Sequence, residues 1–178
     1  GAGLSGLTAA INLVKAGYNV EIFEKRKDCG RRFKGDLEGL ENWSSKLNIL
    51  DELKSMNIKI NFDCSPVKTM YLTDGEDKIK IDSKKPIFYL VKRGIIENSL
   101  DQGLKNQAVE FGTVIHFNSD DSPKDIDIIS TGPIKNKITA NAFGIIFETE
   151  MDDIAIALVN NKTSYKGYSY LIVNKGYG

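Results

Sequence analysis

Histidine and cysteine are scarce in this 178-residue chain: His116 stands alone, and Cys29 and Cys64 are the only cysteines. Two cysteines are too few for a disulfide framework or a cysteine metal site, and we expect a reducing, cytoplasmic setting. No Ser-His-Asp or Cys-His set is apparent, and no G-x-x-x-x-G-K run offers a phosphate loop. Net charge is lacking as well. The 24 Lys and Arg balance 24 Asp and Glu, which gives no electrostatic argument for nucleic acid or an anionic membrane. No apolar run approaches the roughly 20 residues of a membrane span, and there are no internal repeats or low-complexity segments. With 41% hydrophobic positions, what remains is an ordinary globular composition, sufficient for one large or two small cores.

What is present starts at the first residue, with GAGLSGLTAAINLVKAGYNVEIFEK. Gly1, Gly3 and Gly6 form G-x-G-x-x-G, followed by Ala10, Leu13 and Gly17 and then by Val20 to Glu24. Each glycine has a physical reason to be there. Gly1 permits a tight turn, Gly3 lets a pyrophosphate approach closely, and Gly6 allows contact between helix and sheet. The N-terminus of the following helix offers N–H groups and partial positive charge to phosphates. Glu24, at the end of the next strand, is placed to accept from ribose hydroxyls. Alone the glycine pattern is weak; with the small residue, the second glycine stop and the acidic strand end in register, it points to a dinucleotide site. Such a turn ordinarily follows a buried strand, so we expect a fragment lacking its first strand.

Periodicity supplies the rest. A helix is expected over Leu4 to Lys15 and a strand over Val20 to Phe23. A polar stretch through KRKDCGRRFKGDLEGLENWSS leads to a helix with Leu47, Leu50, Leu53 and Met56 as core and Ser44 or Ser45 as N-cap. From Ile58 the period becomes two, in IKINF, VKTMYL and KIKI, with Asp74-Gly75 as a hairpin turn. IFYLV reads as a continuous buried strand, Gly94 to Gly112 as a helix, and TVIHF and IDIIS as short strands. FGIIFET, IAIALV and YSYLIV return to β pattern. The expected fold is α/β: a Rossmann-like layer, parallel sheet with helices, in 1–57 and 84–135, interleaved with a mostly antiparallel β-sheet domain in 58–83 and 136–178.

Three ordered stretches, GAGLSGLTAAINLVKAGYNVEIFEKR, FYLVKRGIIENSLDQGL and DIDIISTGP, resemble the landmarks of FAD-dependent oxidoreductases of the geranylgeranyl reductase type, relatives of the flavin aromatic hydroxylases. GRRFKGDLEGLENWS is similar to the flavin-facing loop of that group. The resemblance covers most of Gly1 to Pro133. It implies that Gly1, Gly3, Ser5 and Gly6 line the FAD pyrophosphate and Glu24 binds the adenosine ribose. It places Lys25, Gly30 and Arg31 in the loop near the cofactor, Arg93 in a strand-end arginine position, and Thr131 and Gly132 in a turn approaching the nucleotide. NAD(P)H is one candidate electron donor, and the sequence does not fix the donor. The family's later G-D motif has no counterpart.

Three functions stay open: a reductase of isoprenoid chains, a monooxygenase of a small or aromatic substrate, and a non-catalytic nucleotide-binding remnant. A lipid substrate would bring peripheral membrane contact, with Arg93 and the loop cations at a diphosphate or phospholipid head group. Ile145, Phe147, Ile154, Ile156 and Leu158 are candidates for an apolar wall, with ordinary sheet core as the competing reading. Cys29, beside Lys27, Arg31 and Arg32, is either a low-pKa thiol or an inert loop residue. His116 reads as a structural or interface histidine. Trp43 reads as a core anchor. The run EKRKDCGRR is either a solvated face or a docking point for FAD phosphate or NAD(P)H.

Overall fold

The computed structural model describes residues 1–119, 125–132 and 141–178. It divides into two compact units. The first comprises Gly1–Glu38, Leu47–Cys64 and Val91–Phe143, the second Gly39–Lys46, Ser65–Leu90 and Gly144–Gly178.

In the first unit α1, Leu4–Lys15, buries Leu7, Ala10 and Ile11, the i, i+3, i+4 stripe that its periodicity dictates. Its end is set by Gly17, at φ 92°, a left-handed position that a glycine takes without strain. The strand β1, Glu21–Glu24, follows. Helix α2 spans Ile49–Ser55, with Asn48 Oδ1 accepting from Leu50 N–H at 2.9 Å. The cap is therefore Asn48 and not Ser44 or Ser45. None of its residues is buried and Leu47 is largely exposed, which corrects the expected leucine core.

The segment IKINF keeps its period of two, with Ile58 and Phe62 buried, but it forms no strand. Bonds to another helix take the place of a ladder: one helix side chain meets the segment's backbone, and the segment's own Asn61 side chain meets the helix backbone. Lys59 N–H donates to Gln107 Oε1 at 2.9 Å, and Asn61 Nδ2 donates to Gly103 O at 2.9 Å. That helix, α3, spans Leu100–Glu110, six residues later than the reading from Gly94. Gly94 and Asn98 both have positive φ, and Ser99 caps the helix by accepting from Gln102 N–H. Helix α3 packs on α1. Strand β7, Val114–Phe117, pairs in parallel with β1, Phe23 opposite His116.

The expected strand IDIIS is absent: residues 126–130 are irregular, with Ile126, Ile128 and Ile129 exposed. A strand needs a paired neighbour, and β1 is laddered only to β7 among the described residues. The polar stretch after Arg32 holds a strand that composition did not reveal, β2, Lys34–Glu41. It joins β6, Phe88–Gly94, and β3, Cys64–Val67, in the order β2-β6-β3. Strand β6 is buried from Phe88 to Val91, and Ile87, the first residue of the expected IFYLV strand, lies just before it and is half-buried.

The second unit is built on β4, Thr69–Thr73, β5, Lys78–Asp82, β8, Ile154–Leu158, and β9, Ser169–Val173. Their order is β5-β4-β8-β9, antiparallel except for the β4-β8 pair. The Asp74-Gly75 turn joins β4 to β5, and Asp74 Oδ1 accepts from Glu76 and Asp77 N–H. Phe88, Leu90 and Ala155 form its core with Met70 and Ile172. FGIIFET does not become a strand; it makes an isolated bridge, Glu148 to Tyr177. The mixed architecture, one parallel pair with helices and a largely antiparallel sheet, is the expected α/β class.

Candidate functional site

The glycine turn determines the site. Gly3 is the N-cap of α1 and supplies no side-chain cap, so the N-cap residue leaves the first-turn N–H groups without the acceptor that a capping side chain would give. A Cβ built on Gly3 would meet nothing within 4 Å. Gly1 and Gly6 are the opposite. A Cβ on Gly1 would lie 2.5 Å from Ser130 O, and one on Gly6 would strike the Gly1 carbonyl oxygen. Two glycines thus let the turn fold tightly, and the third leaves an open surface beside a helix N-terminus. Ser5 is exposed on the first turn.

Glu24 closes the turn from β1. Its Oε2 accepts from Ala2 N–H at 2.8 Å and its Oε1 from Arg26 N–H at 2.9 Å. The carboxylate is half-buried, and each oxygen keeps a second acceptor direction for a hydroxyl. Thr131 lies beside Gly1, Gly6 and Ser130 in lining a cavity of about 130 Å³ with Leu13 and Phe23. That volume is below the roughly 300–1,000 Å³ of ligand pockets and its walls are largely aliphatic, so the face of the turn that can meet phosphates is at Gly3. Gly132, at φ 73°, is exposed next to Thr131.

The loop after Glu24 displays cations and buries its middle. Lys25, Arg26, Lys27, Arg31 and Lys34 are exposed, whereas Cys29 is 1% exposed. Burial first, then the neighbouring charge of Asp28, pushes the Cys29 thiol up to about 12. The reactive low-pKa reading of Cys29 is therefore overturned: the cations beside it in sequence point to solvent, and the sulfur does not. Burial raises the Asp28 carboxyl, but hydrogen bonds from Lys105 and Cys29 N–H outweigh that and hold it below its ordinary value. Gly30, at φ 72°, packs so closely that an added Cβ would lie 2.7 Å from Gly94 O.

Arg93 is 8% exposed and already occupied. Its Nε and Nη2 donate to the two oxygens of Asp101 at 2.8 and 3.1 Å, its Nη1 donates to Glu38, and its guanidinium lies 4.1 Å over the Phe33 ring. Burial lowers the Arg93 pKa, and the bonds to Asp101 and Glu38 raise it further than that. Asp101, Glu38 and Phe33 were not singled out from sequence. Ser99 followed by Leu100-Asp101 is a helix-start signal that marks Asp101 as a first-turn acid, but its pairing with Arg93 needs the fold.

Among the other residues, His116 Nε2 lies 2.7 Å from Glu21 Oε2 and its ring stacks on Phe23 at 4.8 Å, a cross-strand structural arrangement. Trp43 is largely exposed, edge-on to Phe88, so it is no core anchor. Ile154, Ile156 and Leu158 share one face of β8, whereas Ile145 is 82% exposed outside any strand. Among the described residues no helix is long and apolar enough to cross a membrane, and no three His, Cys, Asp or Glu side chains are grouped to hold a metal.

Residues 1–36 match the family model described as an NAD(P)-binding Rossmann-like domain. No curated protein is significantly similar in sequence. Among solved structures, the tetrameric form of 2-methyl-3-hydroxypyridine-5-carboxylic acid oxygenase is similar with a TM-score of 0.52 at 23% identity, over 66% of this chain and 30% of that one. Its C294A mutant is similar at 0.48 and 24% identity, over 66% and 30%. A geranylgeranyl bacteriochlorophyll reductase-like protein from Thermoplasma acidophilum is similar at 0.47 and 21% identity, over 66% and 28%. The chain thus spans under a third of the length of these structures, and the family match is confined to its opening residues, 1–36.

Proposed function

We propose that this chain is the FAD-binding part of an oxidoreductase. The observation that carries the reading is the glycine turn, closed at Gly1 and Gly6 and open at Gly3, with Glu24 bonded to its Ala2 amide. A pyrophosphate fits the open face: helix α1 presents unfilled N–H donors there, and its dipole favours negative charge. Gly1, Gly3, Ser5 and Gly6 hold the pyrophosphate and Glu24 accepts from the adenosine ribose. Lys25, Gly30 and Arg31 belong to the neighbouring loop, with Arg93 behind it, and Thr131 and Gly132 to the turn alongside. When bound, FAD supplies the redox chemistry; this chain binds and orients it. The match of residues 1–36 to a Rossmann-like domain supports the nucleotide class, and the ordered sequence landmarks support the flavin.

The finer reading is reduction of an isoprenoid chain, on the resemblance to geranylgeranyl reductases, with NAD(P)H as donor and a small-molecule or lipid substrate. We place the protein in the cytoplasm or at a membrane surface. The first test is to reconstitute the protein with FAD, remove free ligand, denature and identify what is released. Released FAD is the expected result; binding of NAD with no flavin retained overturns the proposal. Supplying the reduced holoprotein with geranylgeranyl lipids, and separately with oxygen and small aromatics, separates the two chemistries. A saturated chain supports the reductase, and a hydroxylated product assigns a monooxygenase.

A further inference from the structure

The loop from Lys25 to Gly35 directly follows Glu24, which bonds to the glycine turn, and carries a run of exposed cations; it has almost no secondary structure of its own to hold it. Its anchor is the start of α3. Asp101 is 2% exposed and accepts three hydrogen bonds: two from Arg93, and one from Gly94 N–H at 2.9 Å. Arg93 in turn covers the Phe33 ring. Gly30 sits so close that its Cβ position is 2.8 Å from Asp101 Cβ, and the space at Gly94 is bounded by Phe33 O at 3.0 Å and Gly35 N at 3.2 Å. The next turn of the helix reaches the same loop, through Gln102 Nε2 to Cys29 O at 3.3 Å and Lys105 Nζ to Asp28 at 2.8 Å.

A buried ion pair stabilises a fold poorly, because desolvation of both charges offsets most of their attraction. What bidentate geometry supplies well is orientation. Here the pair joins the end of β6, the first turn of α3 and the middle of the cation loop. We propose that Asp101 is a positioning residue for the nucleotide site: through Arg93 and Gly94 it fixes the loop that presents Lys25 and Arg31 to the anionic part of a bound nucleotide. This rests on the reading of the glycine turn as a dinucleotide site. It gives Arg93 an indirect role, since each of its three nitrogens already donates to a carboxylate.

ADP, the moiety that FAD and NAD share, is the probe. Its affinity for the wild-type chain, for Asp101→Asn and for Leu104→Ala is measured by titration calorimetry across a KCl series, with thermal unfolding of each. Leu104 is buried in the same helix and its apolar side chain makes none of the hydrogen bonds named above, so its variant reports loss of stability alone. Asp101→Asn should weaken ADP binding by about tenfold, the worth of one charge-assisted hydrogen bond, and flatten the salt dependence because the loop cations are misplaced. Leu104→Ala should keep the wild-type salt dependence. Equal losses in the two variants, or an unaltered salt dependence in Asp101→Asn, overturns the inference. Should Asp101→Asn not fold, Phe33→Leu, which removes the ring under Arg93 and no charge, is judged by the same criterion. No ADP binding by wild type would instead overturn the dinucleotide reading, and this inference with it.

Discussion

Glu24 Oε2 accepts a hydrogen bond from Ala2 N–H at 2.8 Å, tying the end of β1 to a glycine turn 22 residues earlier. The other oxygen takes the Arg26 amide, so one carboxylate organises both the turn and the start of the cation loop. Hydrogen bonds to a charged group contribute about 1.5–3 kcal/mol each. Glu24→Ala should therefore lower the unfolding temperature and weaken ADP binding by about tenfold or more. Lys27→Ala, on the exposed loop, should change ADP binding far less. Calorimetry on the two variants checks this, and equal effects would mean the ribose lies elsewhere.

The glycines separate folding from binding. Gly3→Ala adds a methyl where nothing stands within 4 Å, at φ −80°, a conformation any residue adopts. Stability should stay within about 0.5 kcal/mol while ADP affinity falls, because the methyl occupies the face proposed to meet phosphate. Gly6→Ala drives a methyl into the Gly1 carbonyl and should cost about 1–3 kcal/mol of stability. Paired thermal melts and titrations distinguish the two; a Gly3→Ala variant that binds normally would falsify the placement of the pyrophosphate.

Cys29 gives a pH dependence. Burial lifts its thiol from the ordinary 9.0 to about 12. The folded state thus keeps a proton that the unfolded state releases above pH 9. The associated stability is complete below pH 9 and is lost as pH rises toward about 12. Iodoacetamide should leave Cys29 unmodified at pH 8 in the folded protein and label it after denaturation. Rapid labelling of the native protein, read by mass spectrometry, would contradict the burial.

In the second unit, Phe88 and Leu90 pack with Ala155. Phe88→Ala should cost about 3–5 kcal/mol, seen as an early melt of β4, β8 and β9 by amide hydrogen exchange. Ile145→Ser, at a position 82% exposed, should leave the melt unchanged. If Ile145→Ser were the more damaging change, the assignment of the core would be wrong.

Local patterns were legible wherever local energetics decide. The bounds of α1 followed from Ala10, Leu13 and Gly17, and the hairpin at Asp74-Gly75 followed from a residue pair that takes the required turn. The pairing of β4 and β5 with β8 and β9 could be anticipated from alternation, which marks a sheet with one covered face. The failures share one cause. IKINF alternates like a strand, but its Lys59 amide bonds to the Gln107 side chain and its Asn61 side chain to the Gly103 carbonyl, and IDIIS is apolar with no laddered neighbour among the described residues. Strand β2 was missed because KGDLEGLE has the composition of a loop, and only its place beside β6 makes it a strand.

The sequence by itself determined the glycine turn, because G-x-G-x-x-G acts through backbone freedom and the absence of side chains, both local properties. It also determined that an acid stands at the end of β1. Tertiary structure alone decided what the charged residues do. Arg93 and Asp101 are eight residues apart, a separation that neither a continuous helix nor a strand brings within hydrogen-bond reach; the turn at Gly94 and the cap at Ser99 do so. Cys29 sits among cations in sequence and away from them in space, because the loop folds its middle inward against α3. Charge and burial act through distance and solvent, and neither is a function of chain order.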